Sequence, residues 1–202
     1  NSWLKKVQLP AIYTIFCLAF TPFAYSQVNP TPAAERMQSM EQRRKLESNS
    51  LLKEVPFRNI GPSIMSGRVV DIDANPDDPT EFYVAYATGG LWHTTNNGQS
   101  FTPIMDSLDM LFIGDIAVNW ATKTIWLGSG EVNSSRSSYA GVGMYKSMNN
   151  GKTWEYLGLP ESHHIGKIQL HPTDNNIAWV AALGHLYSAN KERGIYKTAD
   201  GG

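Results

Sequence analysis

From residue 55 onward, short apolar runs alternate with tight polar turns, and the whole pattern repeats. Tyr83-Val84-Ala85, Trp126-Leu127-Gly128 and Trp179-Val180-Ala181 read as brief buried strands. Ahead of each lies a stretch that alternates as a half-buried strand does, at residues 68–73, 115–118 and 167–170. Asn75-Pro76-Asp77-Asp78-Pro79 and His171-Pro172-Thr173-Asp174-Asn175 are turn clusters between these first and second strands. Each unit then continues through a glycine turn into a third strand, a glycine-centred hairpin and a fourth strand.

The hairpins fix the repeat. Residues 90–101, 143–154 and 194–202 align without gaps, and the loop glycines Gly98, Gly151 and Gly202 are 53 and 51 residues apart. Four antiparallel strands in about 50 residues make one propeller blade. The expected fold is therefore all-β, a β-propeller of four-stranded antiparallel blades that is incomplete over these residues. Two blades are complete and most of a third is present. Residues 55–60 form one orphan outer strand, because Phe57 occupies the slot that Phe101 and Trp154 hold at the end of a blade. Pairing that strand with a final blade beyond Gly202 would remove an exposed edge; those further blades are the first expected partner.

The hairpin pattern Ser/Thr-x-Asp-x-Gly-x-Ser/Thr-Trp/Phe resembles the Asp-box, or bacterial neuraminidase repeat. Thr94, Asn96, Gly98 and Phe101 carry it in the first unit, and Ser147, Asn149, Gly151 and Trp154 in the second. Thr198, Asp200 and Gly202 begin a third, with the acid itself in place. The stretch from Phe57 to Gly202 resembles the sortilin-type N-terminal propeller of large exported, glycosyl-hydrolase-like bacterial proteins, through phrases such as Gly89-Gly90-Leu91-Trp92 and Gly128-Ser129-Gly130-Glu131-Val132-Asn133. In such a turn a short acid or amide bonds the backbone of its own loop, and glycine supplies a positive φ. The resemblance implies that these residues hold blades together, not that they do chemistry.

Two segments precede the propeller. Residues 1–26 read as a signal peptide: Lys5 and Lys6, an apolar run broken by Pro10 and Pro22, then Ala24-Tyr25-Ser26. Residues 27–54 read as a linker and short helical leader rich in Glu, Arg, Gln, Met and Leu, with Met37, Met40, Leu51 and Leu52 as a weak apolar face. Residues 55–202 are the propeller. Cleavage after Ser26 removes Cys17, the only cysteine, and with it disulfides and cysteine chemistry. The remaining 15 basic and 18 acidic residues give a charge of −3, which offers no electrostatic footprint for nucleic acid. The expected location is secreted or cell envelope, with no membrane span after cleavage.

Candidate chemistry is sparse. The second blade is longer than the first by a loop at residues 131–141, which offers Glu131, Asn133, Arg136 and Tyr139 as polar recognition residues; the plainer expectation is that Glu131 and Arg136 pair to order the loop. His163 and His164 have no acidic or histidine partner at a ligand spacing and read as solvated loop residues, and His171 and His185 as turn residues. No metal or cofactor is expected. Xyloglucanase-type relatives of the repeat use two Asp residues across a cleft, one just before the Gly-Gly step. Here that place reads Ala85-Tyr86-Ala87-Thr88-Gly89-Gly90, without a carboxylate. The expectation is a binding or scaffold module for a protein, peptide or glycan. The alternative is a glycoside hydrolase of xyloglucanase or sialidase-like type, with acids partly beyond residue 202.

Overall fold

A computed structural model of the chain describes residues 29–56, 67–136 and 138–202. The leader expected at residues 1–26, and the orphan strand from residue 57 on, lie outside the described residues. Among the described residues, one α-helix, α1 (Ala33–Ser48), precedes eleven strands. The first sheet is β1 (Val69–Ala74), β2 (Phe82–Tyr86), β3 (Gly90–Thr94) and β4 (Thr102–Pro103). The second is β5 (Ile113–Asn119), β6 (Thr124–Ser129), β7 (Met144–Ser147) and β8 (Glu155–Gly158). β9 (Ile165–Leu170), β10 (Ala178–Ala182) and β11 (Gly194–Thr198) make the third. Every pairing is antiparallel between neighbours in sequence. These are three consecutive blades of a propeller, not a closed ring.

The blades stack face to face, which explains why their strands read as apolar runs rather than strict alternations. Ile125 and Leu127 of β6 turn toward the first blade, into a core with Tyr83, Leu91, Met105 and Ile116. Trp126 and Met144 turn the other way, onto Ile165, Ile168 and Val180 of the third blade. The outermost faces of the stack keep the same pattern without a cover. Ile72 is 57% exposed where its repeat equivalents Ile116 and Ile168 are 2% exposed against the preceding blade. Ile195 is 75% exposed where Leu91 and Met144 are at most 2% exposed against the following one. Both faces have the chemistry a further blade would bury.

The repeat turns are built as turns. In the first, Asn97 and Gly98 have φ of 57° and 77°, and in the second Asn150 and Gly151 have 60° and 78°. Two successive positive φ values are what a tight hairpin needs, so Asn-Gly is the dipeptide found there. Asn96 Oδ1 accepts the Ser100 N–H at 3.0 Å, and Asn149 Oδ1 accepts the Thr153 N–H at 2.9 Å. Thr94, Ser147 and Thr198 Oγ atoms accept the N–H of Gly98, Gly151 and Gly202 at 2.9–3.0 Å. Trp154 Nε1–H then donates across to Ile104 O of the first blade at 3.1 Å, while Phe101 packs edge-on against Phe82 within its own blade.

The helix docks differently from the weak apolar face expected. Of the four residues expected on that face only Met40 packs against the core, Leu51 is 99% exposed, and the helix's one buried residue is Ala33 at its start. Arginines on the helix do the anchoring. Arg36 donates to Gly141 O and Pro160 O, Arg43 donates to Asp109 O, and Arg44 pairs with the Asp109 carboxylate. Pro32 gives the helix no side-chain cap, and the Ala33 N–H is taken instead by Glu161 Oε1 at 2.8 Å. That carboxylate sits where the positive end of the helix dipole favours it.

Candidate functional site

In an antiparallel blade the first-to-second and third-to-fourth strand connections lie at one end, and the second-to-third connections at the other. The chain also passes from one blade to the next at that second end. The repeat turns thus occupy one end of the stack. The 131–141 loop, the β8–β9 connection and the β10–β11 loop share the opposite end, and α1 lies across it. Chemistry-bearing side chains gather there.

Glu131 is the most buried of them, fully inaccessible to solvent. Its Oε1 accepts the Asn133 N–H at 2.9 Å, and its Oε2 accepts Ser138 Oγ–H and meets Arg68 Nη2 at 3.0 Å. The pairing with Arg136 expected from the sequence is therefore replaced by a partner from the first blade. A cation 63 residues away is brought in by the start of β1, and Arg136 is exposed. Asn133 is exposed as well, and Tyr139, 52% exposed, stacks on Phe112 with ring centres 4.9 Å apart. The four sequence-stated recognition residues thus divide: Glu131 organises the loop from within, and the other three present outward.

Gly130 explains how the neighbouring connection comes so close. It has φ of 87°, and a Cβ there would fall 1.9 Å from the His163 carbonyl oxygen. With no side chain in the way, the His163 carbonyl accepts the Gly141 N–H at 2.7 Å. This close approach carries His163 and His164 inward, 5% and 4% exposed, which corrects their reading as solvated loop residues. Burial, with Arg36 nearby, pushes His163 down to about 3, so its ring is neutral; burial also lowers His164. The His163 ring lies 3.9 Å from that of His185. Sequence spacing hid this pair, 22 residues apart. The signal was topological: the inter-blade connection and the β10–β11 loop must share one end.

Around these groups a cleft of about 510 Å³ opens, lined by Arg36, Ser138, His163, His185, Tyr187 and Ser188 among others. Tyr187 is 64% exposed, and its hydroxyl donates to Ser135 O at 3.1 Å, tying the loops of the second and third blades together. The cleft combines apolar walls with a few fixed polar groups, as recognition sites do.

The first strands of the three blades carry a second set of charged residues. Asp71, Asp115 and Lys167 hold the same position in β1, β5 and β9, each just after an irregularity in strand pairing. Asp115 Oδ2 accepts the Ile168 N–H at 2.7 Å, and Asp71 Oδ2 accepts the Ile116 N–H at 3.3 Å. One turn of the pattern later, Asp73 accepts from Val118 N–H at 2.8 Å and Trp120 Nε1–H at 2.7 Å. Lys167 Nζ lies 2.9 Å from Asp115 and 3.6 Å from Asp71. Burial raises Asp115 to about 6, against the pull of Lys167 and the Ile168 N–H. These carboxylates join blade to blade.

No protein-family model and no characterised protein matches the chain by sequence. Solved structures share the fold. An ancestral GH74 enzyme matches with a TM-score of 0.52 and 19% identity, over 69% of this chain and 18% of that one. YCF48 bound to D1 peptide matches with a TM-score of 0.46 and 17% identity, over 68% and 38%. The GH74 xyloglucanase from Xanthomonas campestris matches with a TM-score of 0.47 and 20% identity, over 68% and 20%. The chain thus spans 18% to 38% of the length of these proteins. Similarity at this level establishes a propeller and nothing finer.

Proposed function

We propose that this chain is part of an exported Asp-box propeller of sortilin type, and that its loop end is a binding or scaffold surface for a peptide or glycan. The observation that carries the reading is how the acids are used. Asp71, Asp73 and Asp115 accept backbone N–H groups of the next blade, and Glu131 is buried under Arg68. Paired-carboxylate hydrolysis needs one acid free to give a proton and another free to act as base or nucleophile. The loop end offers instead an open cleft lined in part by exposed Tyr187, with Arg136 and Tyr139 exposed on the loop at residues 131–141 that shares this end. Ile72 and Ile195 on the outer faces are the contacts that further blades of the same protein would cover. The alternative, a glycoside hydrolase, rests on the fold shared with the GH74 enzyme, and a fold hosts many activities.

Arrays of peptides and of plant and bacterial glycans, probed with the intact protein, test the reading. Tyr187→Ala and Arg136→Ala should abolish the binding found, and Lys152→Ala at the repeat-turn end should leave it unchanged. Binding indifferent to both loop-end changes would overturn the assignment.

A further inference from the structure

Glu161, His163 and His185 each offer a donor atom, and the three atoms lie within 4.8 Å of one another. We propose that they form a binding site for a divalent transition cation of the zinc class, with two imidazole nitrogens and one carboxylate oxygen as ligands. His163 and His185 also line the cleft. The inference is independent of what the loop end recognises.

The hydrogen bonding around the three residues is arranged for ligation. His185 Nδ1 meets Ser188 Oγ at 2.8 Å, which fixes the ring and turns Nε2 inward. With the serine accepting from Nδ1–H, the lone pair is on Nε2, the tautomer a metal-binding imidazole needs. That Nε2 is buried and has no hydrogen-bond partner among the described residues. His163 Nε2 is buried and unpartnered in the same way, on a side chain 6% exposed. Two such atoms aimed into one space are costly to leave unmatched. Glu161 Oε2 stands 3.5 Å from His163 Nε2, too far for a good hydrogen bond but a suitable separation for two ligands of one ion. Its other oxygen is held by the Ala33 N–H at 2.8 Å, so the carboxylate is oriented before any ion arrives.

The nearby cation is Arg36, 3.8 Å from Glu161 Oε2. Its own hydrogen bonds run to the Gly141 and Pro160 carbonyls, so it keeps its place when Oε2 turns to a metal. Its charge opposes a dication and lowers the affinity expected of the three ligands. Two imidazoles and one carboxylate favour Zn²⁺, Cu²⁺ or Co²⁺ over the oxygen-seeking Ca²⁺ and Mg²⁺.

Titration of the chelator-treated intact protein with Zn²⁺ by calorimetry, and with Co²⁺ by visible absorption, reads the site. One equivalent should bind, and X-ray absorption at the zinc edge should count two imidazoles. His185→Gln and Glu161→Gln should each weaken binding at least about tenfold. Ser188→Ala, which changes only the orienting partner, should weaken it about tenfold. His171→Ala, at the opposite end, should change nothing. His163→Ala removes a buried ring, so the imidazole count on the unmutated protein stands in for it. Absence of stoichiometric binding, or binding unchanged in His185→Gln and Glu161→Gln with circular dichroism intact, would overturn the proposal.

Discussion

The Asp115 carboxylate of β5 accepts the backbone N–H of Ile168 in β9 at 2.7 Å, joining two blades through an inner-strand side chain. Asp71 makes the corresponding bond to Ile116 one blade earlier. An inner-strand edge cannot be satisfied by its own sheet, so an acid at this position serves the next blade's backbone. Asp115→Ala leaves the buried Ile168 N–H without its acceptor. It should lower unfolding stability by about 2 kcal/mol in urea titrations, with the m-value unchanged. No measurable loss would show that water replaces the carboxylate there.

The same residue makes stability depend on pH. Burial raises Asp115 from 3.8 to about 6 in the folded protein, so the folded state holds this proton more tightly than the unfolded chain. The contribution is complete below pH 3.8 and is lost as pH rises through about 6. Urea midpoints measured across that window should fall with rising pH more steeply in the wild type than in Asp115→Asn. Parallel curves would contradict the assignment.

Two glycines in equivalent turns separate strain from crowding. Gly98 and Gly151 have φ of 77° and 78°, but a Cβ at Gly98 would meet nothing nearer than 3.5 Å, whereas at Gly151 it would fall 2.8 Å from Ile104 Cβ. Gly98→Ala should cost about 1 kcal/mol, from backbone conformation alone. Gly151→Ala should cost about 3 kcal/mol, because the blade contact must also shift. Thermal denaturation of the pair decides; equal losses would mean that Ile104 moves aside freely.

Arg68 and Arg136 make opposite predictions for the loop at residues 131–141. Arg68→Ala leaves the inaccessible Glu131 without its cation and should cost about 2 kcal/mol, reduced from the fully buried case because the Arg68 side chain is 42% exposed. Arg136→Ala should stay within about 0.5 kcal/mol. Chemical denaturation of both variants checks the order, and the reverse order would restore the local pairing read from the sequence.

The blade was legible in the sequence because its signals are local. Alternation gave β1, β5 and β9, and the spacing of Gly98, Gly151 and Gly202 gave the repeat. The loop end was not legible, since its contacts join residues from different blades. Arg68 meets Glu131, and His163 meets His185, only after the sheets stack. The tight approach that buries His163 depends on Gly130, a residue whose value appears only with its neighbour's carbonyl in place. The helix likewise docks through Arg36 and Arg44 onto backbone carbonyls and Asp109, contacts that hydrophobic periodicity does not register.

The central claim is that the loop end binds and the acids hold blades together. It is tested most directly by measuring sugar release from a panel of β-glucans and sialosides with the intact protein. The account predicts no turnover above background, alongside binding that Tyr187→Ala removes. Robust turnover abolished by a single Asp or Glu substitution would contradict it.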